Sequence, residues 1–100
     1  MSNSKAPTWF RGVCFTTSEQ AVKFAQECYR ARLKRAFPAA DKIIVKEAHI
    51  KTNVDKSNLV GLEFIVHKEG KRIPIVASIT IQHGADWFIS QATPWVVDDL

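Results

Sequence analysis

Apolar positions after residue 16 recur at helical spacing. At about 100° per residue, Val22, Ala25, Tyr29, Leu33 and Ala36 form one stripe, with Ala21 and Cys28 on its flank. Lys23, Glu27, Arg30 and Lys34 lie opposite. The pattern predicts a single long helix over residues 17–37. Thr17 or Ser18 supplies a hydroxyl cap, and Gln20 stands where an amide can reach back to the chain entering the helix. Pro38 biases Phe37 out of helical geometry, and Arg30, Arg32, Lys34 and Arg35 suit the negative end of the helix dipole.

Elsewhere the period is two, or the composition favours strands. Residues 9–15, WFRGVCF, read as a short first strand with Gly12 marking a bulge or a close backbone approach. Residues 42–52 are rich in branched side chains but divide between faces: Ile43 and Val45 on one, Ile44, Ala48 and Ile50 on the other. A bulge near Lys46 reconciles them. Residues 53–58 read as a hairpin loop. Residues 59–67 then alternate, with Val60, Leu62, Phe64 and Val66 sharing a face, and Gly70 offers positive φ for a tight turn. Residues 72–82 alternate most strictly, placing Ile73, Ile75, Ala77, Ile79 and Ile81 inward. Pro74 implies a locally unpaired strand edge. Residues 86–92 form a last strand with Trp87 and Ile89 opposite Phe88 and Ser90.

The expected fold is therefore α+β, with one long helix packed on a four- to five-stranded antiparallel sheet in the order β-α-β-β-β-β. Residues 9–92 make one domain. Residues 1–8 read as a flexible tail, and 93–100 as an extended tail that can dock through Trp95.

Composition narrows the class. In 100 residues, 46% hydrophobic content supports a packed core, and a formal net charge of +4 permits an acidic partner. Cys14 and Cys28 belong to no metal-spaced cluster and read as reduced, buried thiols. Without a charged-then-apolar leader or an apolar run near 18 residues, the expectation is a cytoplasmic protein with no membrane span.

The helix segment from Ala21 through Phe24 and Ala25 to Tyr29 resembles the A-x-x-F-A-x-x-x-Y run of cystatin helices, and the element order resembles the cystatin-like wrap of a sheet around one helix. That likeness implies the fold and, as one function, inhibition of papain-like cysteine proteases. The family's Q-x-V-x-G loop has its nearest counterpart in Asn58-Leu59-Val60-Gly61, one residue short and lacking the Gln. Its Pro-Trp hairpin corresponds to Pro94-Trp95, which follows the last strand, and its N-terminal glycine corresponds to Gly12.

No nucleophile elbow, phosphate-cradling loop or carboxylate pair is present, so the expectation is a non-enzymatic protein with no cofactor. His49 and His67, with Glu63 nearby, fall on one outer sheet face and read as solvated strand histidines. One helix covers one sheet face, which leaves the other for a partner. Ile65, His67, Val76, Thr80, Phe88 and, from the tail, Trp95 are the candidate protein-binding residues, with a protein partner or a homodimer expected. Arg30, Arg32, Lys34, Arg35 and Lys42 form the candidate surface for an acidic partner or nucleic acid. A small-ligand pocket between helix and sheet is a further alternative.

Overall fold

A computed structural model describes residues 10–98. The segment read as an N-terminal tail, Trp9, and the last two residues lie outside that range. The elements are β1 (Cys14–Phe15), α1 (Ser18–Ala36), β2 (Lys42–Val45), β3 (His49–Thr52), β4 (Asn58–Lys68), β5 (Lys71–His83), β6 (Trp87–Ala92) and β7 (Val96–Val97). All pair antiparallel in one sheet of order β1-β6-β5-β4-β2, with β3 also on β4 and β7 also on β5. The fold is α+β, one helix packed on a curled antiparallel sheet.

Helix α1 starts where its cap dictates. Thr17 Oγ1 accepts from Gln20 N at 3.2 Å, and Gln20 Oε1 accepts from Thr16 N at 3.0 Å, so two free donors are satisfied reciprocally. It ends as Phe37 N donates to Leu33 O at 2.8 Å, ahead of Pro38. Ala21, Val22, Ala25, Tyr29 and Leu33 are buried, and Ala36, in the last turn, is exposed. Opposite them lie Val60, Leu62, Phe64 and Val66 of β4 and Ile75, Ile79 and Ile81 of β5, each at most 1% exposed. Each large side chain so buried contributes about 1.5–3 kcal/mol relative to exposure.

Register resolves the divided segment 42–52. Val45 pairs with Phe64 and His49 with Gly61, so four steps along one strand match three on the other. One extra residue is accommodated at 46–48, where Lys46 N donates to Glu63 O at 2.9 Å. The segment is two strands on β4 rather than one. The bulge flips the parity, so Ile43, Val45 and Ile50 all take the helix side and Ile44 takes the outer side.

The β4–β5 hairpin closes through Glu69 and Gly70, both at positive φ (+53° and +74°), between paired Lys68 and Lys71. This two-residue geometry matches the twist of the strands. Gly70→Ala is expected to lower stability by about 1 kcal/mol, because an L side chain at that φ strains the backbone; urea denaturation checks it.

Three expectations change. The first strand shrinks to Cys14–Phe15, because Phe10 opens a 3₁₀ turn, closed by Val13 N donating to Phe10 O at 3.3 Å, with Gly12 at φ +78°. Phe10 is 1% exposed and sits 6.0 Å from the Phe24 ring and 6.3 Å from that of Tyr29. Burying a phenyl ring outweighs the local preference for extended backbone. Cys14, expected in the core, is exposed: it pairs with Phe88 on the outer side while Phe15 turns inward. Residues 96–97, expected in an extended tail, add strand β7 to β5, and Asp98 N donates to Pro74 O at 2.9 Å. Pro74's missing donor thus falls on the edge facing β7, whose short strand leaves that position without demand for it.

Candidate functional site

The outer sheet face is built by strict alternation. Because Val60, Leu62, Phe64 and Val66 point at α1, Gly61, Glu63, Ile65 and His67 point away, and pairing carries that choice to every neighbour. Three successive cross-strand rows result. The first is Lys42–His67–Arg72, the second Ile44–Ile65–Pro74, and the third joins Glu63 and Val76 to Val96 of β7. Ile44, Pro74 and Val96 are exposed, and Ile65 and Val76 half-buried, so an apolar strip crosses four strands with no described element over it.

Of the sequence-predicted protein-binding residues, the structure brings Ile65, Val76 and His67 together. Thr80 and Phe88 lie two rows or more beyond, beside exposed Leu59; Ser90 Oγ donates to the Thr80 carbonyl at 3.3 Å. Trp95 is elsewhere. It packs against the core with its ring 5.8 Å from Phe37, sealing the exit of α1 on the helix side. Ile44, Pro74 and Val96 were missed; once the bulge at Lys46 is placed, register with Ile65 and Val76 finds the first two, and β7 alone supplies the third.

The predicted basic cluster is divided. Arg30 pairs with Glu27 at 3.6 Å along the helix, and Arg32 lies beside Cys28. Lys34 and Arg35 are exposed in the last turn of α1. Lys42 faces the outer side, across the sheet from the helix, because it pairs with His67.

Titratable chemistry is sparse. His49 Nε2 lies 3.1 Å from Glu63 Oε2, both side chains exposed, whereas His67 is four residues further along β4 and does not join them. Among the described residues the covered Nε2 of His67 has no hydrogen-bond partner. Among the described residues no group of three His, Cys, Asp or Glu is arranged to hold a metal ion. Burial pushes the Cys28 thiol up, against the opposing Arg32 guanidinium, which makes it a weak nucleophile.

A groove of about 820 Å³ separates the first half of α1 from the bulged edge, floored by Val22, Val45, Ala48 and Ile50. Gln26 Nε2 reaches across to the Lys46 carbonyl at 3.3 Å, and Glu19 and Glu47 balance Lys23 and Lys46 on the rim. The segments compared with cystatin inhibitory elements are placed as follows: residues 58–61 lie within β4, with Val60 fully buried, and Pro94-Trp95 precedes β7. No described helix is long and apolar enough to cross a membrane. No protein-family model, curated protein or solved structure matches this chain.

Proposed function

We propose that this α+β domain is a non-enzymatic binding module that works by protein–protein contact through its outer sheet face, and that the surface it docks is the same face of a second copy. The observation that carries the reading is the uncovered strip of Ile44, Ile65, Pro74, Val76 and Val96. Charge complementarity supports a second copy. Ile65 stands midway between Glu63 and His67, and Lys42 and Arg72 flank His67. A two-fold axis along the Ile44–Ile65–Pro74 row, in the plane between two facing sheets, lays that row on its own copy, Glu63 of one copy over His67 of the other, and Val76 over the aliphatic stem of Arg72.

Light scattering coupled to size exclusion tests this. The wild type is expected to rise with concentration toward twice the 11.3 kDa monomer mass. Ile65→Glu or Ile44→Glu should weaken association by at least about tenfold, since each buries an unpaired charge in the row that meets its own copy. Glu63→Lys should weaken it as well, and Cys14→Ser, outside the strip, should not. A mass fixed at the monomer value across the series overturns the proposal, as does association unaffected by either strip variant.

A further inference from the structure

The end of the molecule at the β4–β5 hairpin carries a charge arrangement that the outer-face reading does not use. Register puts Lys68 directly opposite Lys71 on the helix side of the sheet, one step beyond the outer-side row of Lys42, His67 and Arg72. Like charges directly opposed across a strand pair are unfavourable, and in the neighbouring outer row Lys42 and Arg72 flank His67. Among the described residues, no carboxylate lies within salt-bridge distance of Lys42, Lys68, Lys71 or Arg72.

Helix α1 delivers more positive charge to the same end. Its nineteen residues span about 28 Å, and the chain leaving it meets β4 where Asp41 N donates to the His67 carbonyl at 2.7 Å. Lys34 and Arg35, in the last turn, thus lie at the same end of the molecule and on the same, helix side of the sheet as Lys68 and Lys71. The helix dipole accounts for two cations in that turn; it does not account for opposed lysines in the hairpin. Among the described residues, Asp41, Glu69 and Asp98 are the carboxylates at this end. At the far end, around β6 and the β3–β4 loop, Asp55 and Asp86 offset Arg11 and Lys56.

We infer that the hairpin tip and the last turn of α1, through Lys34, Arg35, Lys68 and Lys71, form a docking site for the phosphate backbone of a nucleic acid. The tip presents long cationic side chains around a Glu69-Gly70 apex with no apolar side chain among them. A protein interface needs apolar or aromatic anchors at its centre, whereas a phosphate chain is held by such charges alone. Binding relieves the lysine–lysine opposition and is independent of base sequence. The site faces the helix side, so it operates whether or not the outer face self-associates.

Fluorescence anisotropy with labelled mixed-sequence oligonucleotides, one single-stranded and one duplex, tests the assignment on the full chain. Binding is expected at low salt, with log K falling linearly in log salt. Lys68→Gln/Lys71→Gln should make that slope shallower by about 1.4–1.8, the release of two phosphate contacts, and Lys34→Gln/Arg35→Gln should act similarly. Lys51→Gln/Lys56→Gln removes the same charge from the opposite end and should leave the slope unchanged. Circular dichroism confirms that each variant is folded. Absence of binding to either oligonucleotide at low salt overturns the inference, and so does equal weakening by the Lys51/Lys56 pair, which marks a net-charge effect. Poly-glutamate binding as tightly as the oligonucleotides would overturn it in favour of an acidic protein segment.

Discussion

Tyr29→Ala is expected to destabilise the protein by about 3–5 kcal/mol, the range for truncating a buried aromatic side chain. Tyr29 is 1% exposed, its ring lies 6.2 Å from Phe64 and 6.3 Å from Phe10, and its hydroxyl donates to the Thr93 carbonyl at 2.5 Å. The side chain therefore joins the helix, the β4 core, the N-terminal turn and the segment that leads to β7. Tyr29→Phe isolates the last of these links and should cost about 1 kcal/mol. Burial, with a smaller contribution from Cys28, pushes the phenol up from 10.0 to about 12. Below pH 10 the group is protonated in both folded and unfolded chains and adds no pH dependence. Between about pH 10 and 12 the unfolded phenol ionises while the folded one does not, so about 2–3 kcal/mol of stability is lost as pH rises. Because Tyr29 is the chain's sole tyrosine, its phenolate absorbance reports this directly. Urea denaturation across that window should show the loss in wild type and not in Tyr29→Phe; a normal phenol titration would contradict the assigned environment.

Phe10→Ala carries the next largest expectation, about 3–4 kcal/mol. The ring plugs the core between Phe24 and Tyr29, while the described backbone that follows it forms a short turn. Its contribution is thus a matter of packing, and Phe10→Leu should recover more than half of the loss. Arg11→Ala, next to it but exposed, should change stability by less than about 0.5 kcal/mol. Equal losses from Phe10→Ala and Arg11→Ala in chemical denaturation would contradict a buried anchor.

Phe10 also illustrates where pattern reading stops. In WFRGVCF every residue except Gly12 favours or tolerates extended backbone, and no local signal distinguishes a strand from a turn that inserts one ring. The same holds for Cys14, whose outward direction follows from pairing with Phe88, and for Trp95. Its Pro-Trp context marks an aromatic available for docking, but the choice between the outer face and the helix exit depends on where Phe37 lies. The candidate surface was legible to the extent that it lay on strongly alternating strands. Ile65, His67 and Val76 inherit their direction from neighbours that must be buried. Ile44 does not, because its strand carries branched residues on both faces and needs the Lys46 bulge and its partner Ile65 to orient it.

Alone, then, the sequence determined the helix from its cap to Pro38, the β4–β5 hairpin with its glycine turn, and the inward faces of both long strands. Each is dictated within a few residues by hydrogen-bond capping, allowed φ or a period of 2.0 or 3.6. Tertiary structure decided the division of residues 42–52 into two strands, the docking of the C-terminal segment as β7, and the assembly of an apolar strip and a basic hairpin end. These depend on which residues stand opposite one another across the sheet, and cross-strand register is a property of the folded chain that no local stretch contains.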